Sequence, residues 1–286
     1  MRHILRQLPF LLSRALVASF DDGLFTIAKG AAYSALLSLF PVLASIATIF
    51  VEARADYVQR NLATFLSRIL PPGTEDIVLQ QFRYRGQRPV ALLVVAFILS
   101  LWAASSVIKS LMDGFNAAYH VPRNRSLLGH AGVGIMLVFL SAIPLVGASS
   151  LILFGGSVES GVLKLLRVDP VLNPLSPYWQ MFWRITRYVM AFGATVTVTA
   201  ILYFFGTYRK QRWRGVWPGA ILATMLWLLA TSAFGWYVRN ISNYNVLYGS
   251  VGTSIALLIW MYLLAAIVLF GCAFNAEIER SSVRPV

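Results

Sequence analysis

The chain has 286 residues, of which 58% are hydrophobic and only 12% charged, and its mean hydropathy is +0.70. Soluble domains carry about 25% charged residues, so this composition excludes a soluble, secreted or disordered protein and indicates an integral membrane protein. Lys and Arg number 24 against 11 Asp and Glu, a net charge of +13, which in a membrane protein is typical of topology signals and contacts with anionic headgroups rather than of nucleic-acid binding.

Residues 1–23 predict an amphipathic helix on the inner leaflet. Leu11 and Ala15 share a helical face with other apolar side chains, and Arg6 lies opposite. The segment does not have the pattern of a signal peptide, because Arg14 interrupts the apolar stretch and no small-residue cleavage site follows.

Asp21, Asp22 and Gly23 come just before the first predicted span. Two adjacent acids suggest a metal pair. However, acids stabilise the positive N-terminal end of a helix, and glycine permits a tight turn. We therefore favour a cap or turn at this position.

Six stretches free of Asp, Glu, Lys and Arg reach the length of about 20 residues that a helix needs to cross the hydrocarbon. They predict an all-α polytopic fold with six transmembrane helices in a single membrane domain, residues 1–286. The predicted spans are residues 27–51, 89–110, 131–154, 186–208, 215–238 and 250–276.

Residues 52–88, between the first two spans, predict an extracytoplasmic helical cap. Val58, Leu62 and Phe65 have helical spacing, and the pattern continues until Pro71. Inside the spans, small residues that recur every four positions predict close helix packing. The faces concerned are Gly30, Ser34 and Ser38 on the first span, and Gly219 and Ala223 on the fifth.

The sequence offers little catalytic chemistry. His120 and His130 lie around one loop without a carboxylate cluster, and no glycine is followed by lysine as in a P-loop. Phosphodiester hydrolysis usually needs metal-binding carboxylates or an activated acid-base pair. We therefore predict no catalytic residues, no metal and no cofactor, and we do not expect nucleic acid as a partner.

Ion coupling is also disfavoured, because no ionisable side chain is predicted at mid-bilayer. Lys29 and Lys109 lie at span edges, where a lysine can reach the headgroups. Glu277 and Glu279 are predicted to follow the last span.

Basic and polar residues near span ends are the candidates for headgroup contacts or for a polar path. The buried amides among them have an alternative role, interhelical hydrogen bonding, which we favour. The candidates are Lys29, Tyr33, Lys109, Asn116, Arg212, Arg214, Tyr244, Asn245, Tyr248 and Asn275.

The distribution of basic residues gives the orientation only weakly. With a cytoplasmic N-terminus, the cytoplasmic segments hold 13 Lys and Arg and the others hold 11. Basic residues in short loops carry the most weight, and the turn at 209–214 contains four of them and no acid. The opposite orientation is favoured by three basic residues just before the second span, Arg83, Arg85 and Arg88. We give the short turn more weight, and it favours cytoplasmic N- and C-termini.

Several segments together resemble the YihY/BrkB family of bacterial inner-membrane proteins. Their order and their coverage of most of the chain make the resemblance specific. The segments are AAYSALLSLFP at 31–41, LWAASS at 101–106 with Asn116, RWRG at 212–215, PGA at 218–220, YNVLYGSVG at 244–252, LIWMY at 258–262, Gly271, and NAE at 275–277.

The resemblance implies a six-span protein of the bacterial inner membrane with both ends in the cytoplasm. Members were once labelled as a transfer-RNA processing ribonuclease, ribonuclease BN, a label since considered a misassignment, and others as virulence factors. The family brings no agreed catalytic or ligand-binding residues to transfer to this chain.

Three functions follow as hypotheses. The preferred one is a transporter or translocation partner for an amphiphilic anionic envelope molecule, a phospholipid or lipopolysaccharide precursor. The alternative is a non-catalytic scaffold for envelope integrity or virulence, and a membrane ribonuclease is the least favoured. The expected partners are anionic membrane lipids, with a homo-oligomer left open.

Overall fold

The computed structural model describes residues 8–52, 90–122, 127–165, 176–240 and 249–283. These residues form seven α-helices and contain no strand, which confirms the all-α fold class. The helices are α1 (Leu8–Asp21), α2 (Leu24–Glu52), α3 (Val90–Ala118), α4 (Leu127–Leu165), α5 (Ser176–Gly206), α6 (Trp213–Asn240) and α7 (Gly249–Val283).

Five of the helices that the structure describes contain a stretch long and apolar enough to cross a membrane. The stretches are Leu24–Leu43, Leu128–Gly147, Met181–Gly206, Trp213–Val238 and Ser254–Ser282, on α2, α4, α5, α6 and α7. α3 overlaps the second predicted span and has 29 residues, a length of about 43 Å at the α-helical rise. The count of six spans stays a prediction.

Some predicted features lie outside the described residues. They are residues 1–7, all but the first residue of the predicted cap at 52–88, and the polar segment that contains Tyr244, Asn245 and Tyr248.

α1 packs on the bundle through a narrow apolar face. Leu11 and Ala15 are buried against Phe274 of α7 and adjoin Leu222 of α6. The opposite face leaves Phe20 with 66% of its surface exposed. The helix thus contributes to the bundle core and also presents apolar side chains outward.

The turn between α1 and α2 agrees with the predicted turn at Asp21, Asp22 and Gly23. Gly23 has a φ of +65°, a left-handed conformation that side chains other than glycine rarely tolerate. Its carbonyl accepts the backbone N–H of Thr26 at 3.0 Å and so begins the hydrogen bonding of α2.

Four chain segments meet at one end of the bundle, which we call the polar end. Asp22 pairs there with His120, and Arg209 pairs with Glu279. The segments are residues 22–23, 119–122, 207–212 and 277–283. The α1 helix and the C-terminal end of α7 therefore lie on the same side of the bundle.

The core is concentrated near the polar end. α7 packs against α1, α2, α3 and α6, and Phe115, Tyr203 and Leu269 are buried at the centre of the main apolar cluster. Among the described side chains, buried positions on α5 begin only at Val196, and those on α6 end at Thr224. Beyond these points both helices are exposed or half-buried, as expected for surfaces that face lipid.

Two local expectations from the sequence are wrong. His130 lies within α4 rather than in a loop, because the helix begins at Leu127. Gly30 lies at an open surface, where an added Cβ would meet no atom within 4 Å, so it makes no close helix contact.

Candidate functional site

Asn275 joins α7 to the beginning of α6. Its side-chain N–H donates to the carbonyl of Val216 at 3.0 Å, and its oxygen accepts the N–H of Gly219 at 2.7 Å. At the same crossing a Cβ on Gly219 would overlap the carbonyl oxygen of Gly271, and Ala223 also adjoins Gly271. The predicted small-residue face of α6 is therefore a close helix contact.

Asn116 plays a similar part between α3 and the α5–α6 turn. Its oxygen accepts the backbone N–H of Tyr208 at 2.8 Å, and its N–H donates to the carbonyl of Met112 at 2.6 Å. Both candidate amides thus have interhelical partners, as the favoured interpretation predicts, and both are almost completely buried.

Glu277 is the most buried carboxylate that the structure describes at this end. The residue is 3% exposed, and its two oxygens face Arg14 Nε at 3.0 Å and Arg280 Nη1 at 2.5 Å. A carboxylate loses hydration on burial and needs such partners. The sequence placed Glu277 beyond the last span, whereas α7 continues to Val283 and holds this side chain inside the bundle.

Arg280 connects this ion pair to the end of α3. Its Nη2 donates to the carbonyl of Ala118 at 2.9 Å and lies 3.4 Å from the His120 ring nitrogens. His120 Nε2 in turn contacts Asp22 Oδ1 at 2.8 Å. A chain of charged side chains therefore joins α1, the α1–α2 turn, the end of α3 and α7.

His120 also has a backbone peculiarity. Its φ is +53°, a left-handed conformation that costs a non-glycine residue free energy. Two backbone hydrogen bonds fix it, from His120 N–H to Ala117 and from Val121 N–H to Asn116, the pattern that ends many helices. The conformation turns the chain sharply after α3.

Arg209 lies on the other side of the polar end. It pairs with Glu279, and its guanidinium stands 4.8 Å from the ring centroid of Tyr119, a cation–π arrangement. Burial raises the pKa of the Tyr119 phenol above its ordinary value, so the ring under Arg209 stays neutral at physiological pH.

The polar end also carries cations that no acid neutralises. Lys29, Lys210, Arg212 and Arg214 are exposed, and none lies in an ion pair with an acid among the described residues. Among the acids at this end, Asp22, Glu277 and Glu279 are each paired with a basic side chain, whereas Asp21 is exposed and lies in none of the ion pairs among the described residues. The surface charge available at this end is therefore positive.

The two remaining candidates that the structure describes, Tyr33 and Lys109, do not join this group. Tyr33 is 61% exposed on α2, one turn after Lys29. Lys109 is half-buried on α3, with its stem beside Gly134 of α4. The structure thus brings Asn116, Asn275 and the exposed cations to one end, and keeps Tyr33 on the outer surface.

Sequence reasoning missed the network around Glu277. The spacing of Glu277 and Arg280 on one helix face is a local signal. Arg14, Asp22 and His120 are distant in the chain, and only the tertiary fold brings them together. In the part of the chain that the structure describes, no three His, Cys, Asp or Glu side chains form a group that would hold a metal ion.

The chain is similar to several known proteins over most of its length. It is 28% identical over 256 residues to the ribonuclease-like protein YfkH of Bacillus subtilis, covering 89% of this chain and 90% of YfkH. A UPF0761 membrane protein of Pseudoalteromonas translucida is 23% identical over 282 residues, covering 98% and 89%. Another, of Alkalilimnicola ehrlichii, is 26% identical over 88% of this chain, which spans only 54% of that longer relative.

No solved structure matches the chain. The family described as virulence factor BrkB matches residues 16–285, nearly the whole chain. That description and the UPF0761 names specify no catalytic activity, and the ribonuclease-like name of YfkH is a legacy label. The helical bundle and these similarities agree: the chain belongs to the BrkB virulence factor family of membrane proteins.

Proposed function

We propose that the protein binds an anionic amphiphile of the bacterial envelope, a phospholipid or a lipopolysaccharide precursor, and transports it or assists its translocation. The observation that carries the proposal is the set of exposed, unneutralised cations at the polar end, Lys29, Arg212 and Arg214. Basic side chains near a membrane surface attract anionic headgroups by about 1 kcal/mol each. Of the nearby acids, Asp22, Glu277 and Glu279 are already paired and do not compete, which leaves the exposed Asp21 against the free cations.

The outer face of α2 supports an amphiphile rather than a small anion. Lys29, Tyr33 and Leu37 are exposed at four-residue intervals, and Gly30 leaves open space beside them. Lys29 is about 8 Å from the start of α2, and Leu37 is about 20 Å from it. A charged headgroup at Lys29 would thus continue into an acyl chain along an apolar stripe.

The proposed location is the bacterial inner membrane, with the polar end and both termini on the cytoplasmic side. The basic turn at 209–214 lies at this end, as expected for a cytoplasmic loop. α1 lies there too and exposes Phe10, Val17 and Phe20, the side chains with which a helix enters a leaflet.

Binding of anionic lipid tests the proposal. Phosphatidylglycerol should bind the purified protein more tightly than phosphatidylcholine does. The triple variant Lys29→Gln/Arg212→Gln/Arg214→Gln should lose on the order of a hundredfold in affinity, at about 1 kcal/mol per charge. Native mass spectrometry or a lipid-dependent shift in melting temperature gives the affinities.

A matched control separates binding at these three cations from an effect of net charge. Arg184 is also exposed, on α5 toward the opposite end. Lys29→Gln alone should weaken binding about fivefold, whereas Arg184→Gln should have little effect. Equal losses in the two single variants, or equal affinity for the two lipids, would contradict the proposed site.

Labelling of introduced cysteines tests the proposed orientation in the membrane. In a Cys272→Ala background, which removes the single cysteine, cysteines are placed at the exposed positions Lys210 and Tyr178 on opposite ends of the bundle. A membrane-impermeant maleimide applied to spheroplasts should label the cysteine at 178 at once. The cysteine at 210 should react only after lysis, and the reverse pattern would place the polar end outside.

A further inference from the structure

Among the buried side-chain atoms without a hydrogen-bond partner in the described part of the chain, three lie away from the polar end. They are Trp227 Nε1 and Thr231 Oγ1 on α6, and Trp260 Nε1 on α7, and all three are inaccessible to solvent. The Trp260 residue as a whole is only 7% exposed, whereas Trp227 and Thr231 are half-buried residues whose polar atoms are covered. Buried polar groups are nearly always paired, because an unpaired one forfeits its hydration.

Neighbouring polar side chains satisfy their donors within the protein. Thr224 on α6 donates to the carbonyl of Ala220 at 2.9 Å, and Tyr203 donates to the carbonyl of Val268 at 2.6 Å. Thr231 has the same option one turn back along its own helix and does not use it. Its hydroxyl is therefore directed away from its own backbone.

The three atoms lie at similar depth, as the helix register shows. Gly219 and Gly271 mark the crossing of the antiparallel α6 and α7. Thr231 is about 18 Å from this crossing along α6, Trp227 about 12 Å, and Trp260 about 16 Å along α7. Measured along the helix axes, the three residues therefore lie within about 6 Å of one another in depth, and we call their polar atoms the donor band.

Tryptophan is usually found at the membrane interface, where its N–H reaches water or a headgroup. Trp227 and Trp260 are instead in the interiors of the spans Trp213–Val238 and Ser254–Ser282, on helices that approach each other closely. Because neither indole N–H is accessible to solvent, neither reaches the usual partner, so an acceptor has to come from elsewhere.

The chemistry of the donor band selects the acceptor. Two indole N–H groups can only donate, and a threonine hydroxyl can donate as well. Neither α6 between 215 and 238 nor α7 between 249 and 276 carries a charged side chain, and a full negative charge without a counter-ion is strongly disfavoured in such surroundings. The band therefore suits uncharged oxygen acceptors.

We propose that the donor band binds the uncharged oxygen atoms of an amphiphile inside the membrane, either ester carbonyls of a diacyl lipid or hydroxyls of a saccharide. The inference rests on the proposed function, in which Arg212 and Arg214 receive the charged headgroup. Arg214 and Trp227 are about 20 Å apart along α6, so the cations and the donor band contact the amphiphile at different stages of its passage.

The test removes the donors one at a time: Thr231→Val keeps the shape of the side chain, whereas Trp260→Phe also shortens the ring system. Trp260→Phe and Thr231→Val are compared with two matched controls on α6, Trp236→Phe at an exposed indole and Thr224→Val at a satisfied hydroxyl. Each purified protein is titrated, in detergent, with ester-linked phosphatidylglycerol, its diether analogue without carbonyls, and a diether glycolipid.

Two results are expected. Without lipid, Thr231→Val should melt at or above the wild-type temperature, because it removes an unpaired buried donor, whereas Trp260→Phe also leaves a cavity and should melt lower. With lipid, each should weaken binding about fivefold, and the lipid affected identifies the acceptor. A loss confined to the ester lipid indicates carbonyls, and a loss confined to the glycolipid indicates hydroxyls.

Two other results would overturn the inference. One is a lower melting temperature of lipid-free Thr231→Val than of the wild type, which would mean that this hydroxyl has a partner within the protein. The other is unchanged affinity for all three lipids. If phosphatidylglycerol binding then still depends on Arg212 and Arg214, the proposed function stands and only the donor band is wrong.

Discussion

Gly219→Ala is expected to destabilise the bundle strongly. The added Cβ would overlap the carbonyl oxygen of Gly271 and approach the Asn275 side chain to 2.6 Å, and backbone atoms cannot move aside cheaply. Overpacking costs roughly 1–3 kcal/mol, and the two hydrogen bonds of Asn275 contribute about 1 kcal/mol each. We therefore expect a loss of about 3–5 kcal/mol in the free energy of unfolding, measured by denaturant titration in mixed micelles.

Gly215 provides the matched control for this substitution. It lies on the same helix, and an added Cβ there would meet no atom within 4 Å. Gly215→Ala should leave stability unchanged or slightly higher, because alanine favours the helix. Equal stability of the two variants would show that α6 and α7 do not cross at Gly219.

The second large effect is expected at the buried carboxylate. The double variant Arg14→Met/Arg280→Met leaves Glu277 buried without either cation, and removal of the partners of a buried charge typically costs about 3–5 kcal/mol. Adding Glu277→Gln should restore most of the lost stability, because the unpaired charge disappears. Unfolding in lipid-free detergent measures both changes.

Arg212→Met/Arg214→Met removes the same charge at the same end and serves as the control. Both side chains are exposed, so their loss should change stability by no more than about 0.5 kcal/mol. If Glu277→Gln brings no recovery in the double variant, the ion pairs are not what holds α1 against α7.

The elements that follow from local pattern were predictable from the sequence. Uncharged runs placed the long helices, and the left-handed Gly23 was expected from the Asp-Asp-Gly turn. The interhelical role of Asn275 followed from the need of a buried amide for a partner in lipid. Each of these inferences uses residues that are close together in the chain.

The network around Glu277 could not be predicted in the same way. An uncharged run gives the minimum length of a helix but not the residue at which it ends. The continuation of α7 to Val283 could therefore not be predicted from the run. Arg14 and Glu277 are more than 260 residues apart in the chain. Similarly, nothing local distinguishes Gly219, which is at a close crossing, from Gly30, which faces open space.

Transport of a labelled anionic lipid tests the central claim most directly. Protein is reconstituted into liposomes with trace phosphatidylglycerol that carries a fluorescent headgroup-proximal label, and dithionite reports the label that reaches the outer leaflet. We predict faster movement than in protein-free liposomes, and slower movement with Lys29→Gln/Arg212→Gln/Arg214→Gln. Movement at the protein-free rate with folded wild-type protein would contradict transport of this lipid and favour a scaffold.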